Sequence, residues 1–279
     1  VTVLYTSLAL LAFASNSLLC RVALGEGSID AASFTSIRLG SGALMLSAIT
    51  SLRGVRLQPD PAGRWTAAFV LFLYAVTFSY AYVSLPVATG ALVLFGAVQT
   101  MMLIAAIRAG ERPRPLEWMG LLMAIAGLVY LVSPGLSAPP AAGAAMMAAS
   151  GFAWGWYTLL GRRSADAIGR TTANFVRSVP FTVALSVAMA VAIDVTARGA
   201  LLAAVSGAVT SGLGYVAWYA ALPRLTAFRA AAVQLVTPIL TATGGVLFLR
   251  EAVSARLGLS AALILGGIAV VMFSRIRRR

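Results

Sequence analysis

The sequence predicts an all-α polytopic membrane protein, with ten transmembrane helices built as a five-plus-five inverted repeat. Three observations predict it. Of 279 residues, 60% are apolar and 10% charged, with a mean hydropathy of +0.92; a soluble domain has about 45–50% and about 25%. Apolar runs of spanning length recur along the whole chain with short connections between them. Short motifs of the first half return in the second at a nearly constant spacing.

A spanning helix needs roughly 20 apolar residues to cross about 30 Å of hydrocarbon. Such segments fall at 3–24, 32–52, 65–85, 86–107, 116–133, 141–161, 172–195, 200–221, 225–249 and 255–275. The stretch from Val1 to Leu11 has neither a basic n-region nor a small-residue cleavage pattern, so it reads as a spanning helix rather than a signal peptide. From Trp65 to Ile107, 43 residues pass without a charge. As one helix they would measure about 64 Å, twice the hydrocarbon thickness. The run must therefore fold back, and Pro86 marks the turn, because it lacks an N–H and disfavours helix at Leu85. Pro223 and Arg224 divide the run from Ala200 to Leu249 in the same way.

Charge fixes the orientation. All 21 basic residues are Arg, and they outnumber 8 acidic ones. With the N-terminus inside, the inner connections and C-terminus hold fourteen of them, from Arg53 to Arg279; the outer ones hold Arg198, Arg250 and Arg256. That bias predicts both termini in the cytoplasm.

Ser33-Phe34-Thr35-Ser36-Ile37-Arg38 aligns with Thr172-Ala173-Asn174-Phe175-Val176-Arg177, and Tyr82-Val83-Ser84-Leu85-Pro86 with Tyr219-Ala220-Ala221-Leu222-Pro223. Glu111 falls near Glu251, and Ala126-Gly127 near Gly266-Gly267, all at spacings of 137 to 140. The chain divides into 1–138 and 139–279, five spans each. An odd number of spans makes the second copy enter from the opposite side. Inverted repeats recur in alternating-access carriers, with a site between the halves near the midplane. A channel can be built the same way.

Several chemistries are excluded. There is no His and no Lys, and Cys20 is single. Histidine zinc sites, Ser-His-Asp triads and cysteine metal clusters are therefore out. All eight acidic residues lie in connections or at span ends, so there is no mid-membrane ion-binding carboxylate. The sequence predicts no enzyme, metal or cofactor, and transport without strong ion coupling. The basic balance shows no face interleaved with aromatics, which argues against nucleic acid.

The chain resembles the drug/metabolite transporter superfamily, EamA-type, over essentially its whole length. The likeness rests on the Arg early in helices 2 and 7 and on Ala14-Ser15-Asn16 with its partner Trp154-Gly155-Trp156. It also rests on the Tyr-x-x-Leu-Pro hairpins and on Gly110-Glu111-Arg112 and Leu249-Arg250-Glu251. It is most similar to YddG-type exporters of aromatic and other neutral amino acids. The resemblance implies export of small metabolites across the bacterial inner membrane. Expected partners are a small-molecule substrate and the lipid bilayer, with the protein acting as a monomer. A multidrug carrier, a passive pore and a membrane scaffold are the alternatives.

Candidate site residues are polar or aromatic groups deep in spans. Asn16, Gln99 and Gln234 lie mid-helix, where a side-chain amide costs energy unless paired. Each serves either an interhelical hydrogen bond or a cavity wall. Tyr74, Phe78 and Tyr82 share one face of helix 3 at four-residue spacing. Trp154, Trp156 and Tyr157 cluster on helix 6, and Tyr215, Trp218 and Tyr219 on helix 8. Aromatics near span ends belong either to the interface belt or to a binding surface. Together these groups suit a mostly apolar zwitterion in a cavity lined by helices 1, 3, 4, 6, 8 and 9. Arg38 and Arg177, about six residues into their helices, either snorkel and cap neighbouring carbonyls or attract and gate a substrate carboxylate.

Overall fold

The computed structural model describes residues 2–54, 64–108, 115–133, 138–161, 166–225, 233–234 and 236–276. Its elements are α1 (Thr2–Gly25), α2 (Ala31–Leu52), α3 (Arg64–Ser84), α4 (Val87–Arg108) and α5 (Pro115–Val132), followed by α6 (Ala141–Gly161) and α7 (Ala167–Ala188). Helix α8 runs over Ala197–Arg224, and α9 (Val236–Leu249) and α10 (Ala255–Ile276) complete the chain. There are ten helices and no strand among the described residues. The polytopic all-α class is therefore the one observed.

Local chemistry sets the helix starts. Asp30 and Asp166 cap α2 and α7, their carboxylates accepting the N–H of Ser33 and Gly169. The Asp166 cap corrects one boundary: α7 begins at Ala167, not 172, and ends at Ala188, short of 195. Arg170 accordingly lies in the first turn of α7 rather than in a connection. Pro86 does turn the chain, between α3 and α4.

Helix α8 departs from a regular span. Its middle, Ser206–Leu213, is a π-helix of eight residues, flanked by α-helix over Ala197–Val205 and Gly214–Ala221. The wider turn admits α2. A Cβ on Gly207 would overlap the Arg38 carbonyl and the Ser41 hydroxyl, and one on Gly42 would meet the Phe175 ring. The Ser41 hydroxyl donates to the Ala204 carbonyl at 3.1 Å across this crossing.

The helices pack in a repeated scheme. α3 and α4 pack on α6, as α8 and α9 pack on α1; α3 packs on α7, as α8 packs on α2. α2 meets α7, α4 meets α9, and α5 meets α10. Exchanging each helix with the one five places later maps these contacts onto one another. The α5–α10 contact uses glycine, with Gly267 set against the Gly120 carbonyl and Gly127 against Leu263 and Ile264.

One end of the bundle is clasped. The α1–α2 and α7–α8 connections join through an antiparallel bridge between Ile29 and Val195. The Asp30 N–H donates to the Asp194 carbonyl at 2.8 Å, and the Asp194 N–H to the Asp30 carboxylate at 3.1 Å. The Thr196 N–H and hydroxyl both donate to the Ser28 carbonyl. At the same end the Glu251 carboxylate accepts the Val87 N–H with both oxygens, at 3.0 and 2.9 Å, at the start of α4. Glu251 also lies 3.6 Å from Arg21, whose guanidinium donates to the Tyr82 and Val83 carbonyls at the end of α3.

Candidate functional site

Midway along the bundle, α1, α3, α4, α6 and α8 enclose a cavity of about 20 Å³. Phe13, Asn16 and Ser17 come from one face of α1, Tyr74 and Phe78 from α3, and Leu94 and Phe95 from α4; Trp154 comes from α6 and Tyr215 from α8. That volume holds about one water molecule, so this conformation is closed around its centre.

The aromatic wall is continuous. Tyr74 contacts Trp154 at a 5.1 Å centroid separation and Phe78 at 5.4 Å. Trp154 contacts Tyr215 at 4.9 Å, and Phe13 stands edge-on to Trp154, Tyr215 and Trp218. Such a surface accepts a ring or an aliphatic chain and offers hydroxyls at its edge. The polar corner is Asn16, whose side-chain oxygen accepts the hydroxyls of Ser206, at 2.7 Å, and Thr210, at 3.1 Å. Both donors lie in the π-helical turn of α8.

Behind Tyr74 and Phe78 lies Arg38, with no exposed surface. Its Nε donates to the Ser211 hydroxyl at 3.0 Å and its Nη2 to the Tyr74 hydroxyl at 3.2 Å. The guanidinium carbon sits 5.2 Å from the Tyr74 ring centre and 5.1 Å from that of Phe78, a cation–π geometry on two faces. Its Nη1 has no hydrogen-bond partner among the described residues. Of the two readings for Arg38, end-capping of a helix is not what it does here.

The remaining candidates divide. Asn16, Tyr74, Phe78, Trp154 and Tyr215 meet on the cavity. Gln234 is buried just behind, accepting the Trp154 indole N–H at 3.4 Å, and is the contribution of the chain before α9; no residue of α9 itself lines the cavity. Tyr157 is one turn away and accepts the Asn174 amide at 3.2 Å. Trp218 is buried against Phe13. Tyr82 packs on Phe78 and donates to the Val87 carbonyl, which ties it to the α3–α4 turn. Gln99 is half-buried on α4, away from the cavity, and Arg177 is half-buried on α7. Trp156 faces outward, 43% exposed. Of the repeated pair Glu111 and Glu251, Glu111 lies outside the described residues.

Sequence reasoning missed Phe13, Ser17, Leu94 and Phe95. Phe13 lies three residues before Asn16 and four before Ser17, the spacings that share a helix face, and that was the available signal. Nothing in the sequence marks the π-turn that delivers Ser206, Thr210 and Ser211 to the site.

A ten-helix membrane bundle with an aromatic pocket at the meeting of its two halves defines a membrane transporter of the polytopic helical class. The chain belongs to the EamA-like transporter family, whose model matches it twice, over residues 1–133 and 141–273. It is 49% identical over 278 residues to PA1977, an uncharacterized protein of Pseudomonas aeruginosa, covering 99% of this chain and 96% of that one. A crystal structure of another protein superposes with a TM-score of 0.69 over 98% of each chain at 22% identity, a likeness of fold.

Proposed function

We propose that this chain exports small metabolites, with aromatic and other neutral amino acids as the substrate class, by alternating access across the bacterial inner membrane. The observation that carries the reading is the central cavity, where ring faces surround one amide and one hydroxyl corner between the two halves. An amino acid needs a pocket several hundred Å³ larger than the one present. Helices must therefore part to admit it. The clasp at Ser28, Asp30, Asp194 and Thr196 and the Glu251 contacts are breakable hydrogen bonds, suited to such parting. The reciprocal packing of the helices and the double family match support two inverted repeats, 1–138 and 139–279. With both termini cytoplasmic, as the Arg distribution supports, the clasped end faces outward.

Counterflow of labelled L-phenylalanine and L-leucine in proteoliposomes tests this. Saturable, stereoselective exchange is expected. Unsaturable leak would make the protein a pore, and no flux from either amino acid would overturn the amino-acid reading in favour of another cargo. No acidic side chain lines the cavity among the described residues, which favours weak ion coupling; strong uphill accumulation under a pH gradient would overturn that part.

A further inference from the structure

We infer that Arg38 is the charge partner of the substrate's carboxylate, so that the site selects monocarboxylates with an apolar body and the α-amino group of an amino acid is dispensable. This deepens the transport reading above and rests on it. The argument begins with charge. Arg38 is the most deeply buried charged side chain among the described residues, and a guanidinium does not shed its proton. Its partners are the hydroxyls of Ser211 and Tyr74 and the ring faces of Tyr74 and Phe78, none of them a carboxylate. The other buried charge among the described residues, Glu117, lies in the first turn of α5, a helix that packs on α10 and α4. A positive charge is thus held at the centre by ring faces and two hydroxyls.

The geometry supplies the route. Tyr74 lines the cavity with its ring and accepts Arg38 Nη2 with its hydroxyl. A carboxylate taking the place of that hydroxyl would meet Nη2 together with the unpartnered Nη1, two donors in the fork that binds both oxygens of a carboxylate. The ring system of Phe13, Trp154 and Tyr215 then receives the apolar body. A substrate ammonium finds no carboxylate in the cavity wall among the described residues, only neutral oxygens: the Asn16 amide, already holding two hydroxyls, and the hydroxyls of Ser17, Tyr74 and Tyr215. A monoanion leaves the occupied site neutral, and a zwitterion leaves it with one excess positive charge. An amine without a carboxylate leaves it with two.

The test uses three probes of the same ring and chain: L-phenylalanine, hydrocinnamate (carboxylate only) and phenethylamine (amine only). Their binding to the purified full-length protein is read by tryptophan quenching and thermal shift. Hydrocinnamate is expected to bind at least as tightly as L-phenylalanine, and both about tenfold or more tighter than phenethylamine. Arg38→Gln should bring the three together. Phenethylamine binding as tightly as hydrocinnamate overturns the inference while leaving the transport reading intact, as does a preference for carboxylates that survives in Arg38→Gln. The wild-type ranking decides alone if that variant does not fold. Binding by none of the three removes the cavity reading and the inference with it.

Discussion

Arg38 and Arg177 stand at matching places in the two halves of the sequence, yet one is wholly buried and the other half-exposed. The helices on which they lie meet corresponding partners, α2 on α8 and α7 on α3, but through different side chains. At the α2–α8 crossing Gly207 lets the backbones touch, and Ser211, one turn on, takes Arg38 Nε. At the α7–α3 crossing Phe181 inserts among Trp65, Phe69 and Phe72 at 5.5–5.9 Å. Rings fill that crossing, where a glycine admits backbone at the other. The caps add a difference in phase. Arg38 is eight residues beyond Asp30 and Arg177 eleven beyond Asp166, an offset that turns their directions by only about 60° the short way round, so the side chains at the two crossings make the larger difference. A duplicated residue can therefore keep its place in the alignment and lose its surroundings.

The largest effect expected from this contrast is functional. Arg38→Gln should lower substrate affinity in proteoliposome counterflow about tenfold or more, the loss of charge-assisted hydrogen bonds at a buried site. Arg177→Gln should change it less than about threefold. Equal losses would mean that the half-exposed arginine meets substrate as well, and that burial is a poor guide to function in this bundle.

The glycine contact can be broken directly. Gly207→Ala places a Cβ against the Arg38 carbonyl, and backbone cannot swing aside as a side chain can. A cost of about 1–3 kcal/mol is expected, seen as a lower thermal midpoint in detergent. Gly40→Ala, on α2 with open space at its Cβ, should be neutral or stabilising by up to about 1 kcal/mol. A harmless Gly207→Ala would mean that the π-turn, rather than the missing side chain, sets the crossing.

The sequence carried the helices well and the site in part. Hydropathy, Pro86 and the charge-free 43 residues located the turns, because spanning length is a property of composition. The four-residue spacing of Tyr74 and Phe78 put two rings on the cavity wall, while of the repeated Arg pair only Arg38 lies behind them. What was hidden depends on rotation. Hydropathy does not reveal that Trp156 faces outward while Trp154, two residues earlier, faces the core. Nor does it mark a π-turn, which shifts every later side chain of α8. The start of α7 was misplaced because Arg170 reads as a connection; the Asp166 cap and helix propensity outweigh one charge in the first turn.

At the clasped end Glu251 ties the start of α4 to Arg21. Glu251→Gln keeps an acceptor for the Val87 N–H but removes the charge that favours a helix start. A loss of about 1 kcal/mol in thermal stability is expected, with Glu26→Gln, whose partner Arg198 is 64% exposed, nearly silent. A silent Glu251→Gln would reduce that contact to ordinary capping.

The smallest effect concerns pH. Burial pushes the Asp30 carboxyl up, but hydrogen bonds from the side chain and N–H of Ser33 and the N–H of Asp194 and Ala32 outweigh it and hold it below the usual value. A carboxyl held low in the folded state adds stability that is present above its unfolded value, about 3.9, and is lost as pH falls through the folded one. The clasp should therefore be indifferent across neutral pH and loosen only in strong acid. Asp30→Asn removes that acid dependence. It leaves an amide that can still accept from Ser33, so the variant's thermal midpoint should sit slightly below the wild type at neutral pH and converge with it in acid. Asp166→Asn, at the start of α7 and away from the clasp, gives the contrast: it should destabilise α7 locally without altering how the clasped end responds to acid. A wild-type midpoint that drops already near pH 6, above any ordinary Asp range, would place the titrating group elsewhere and separate the clasp from Asp30.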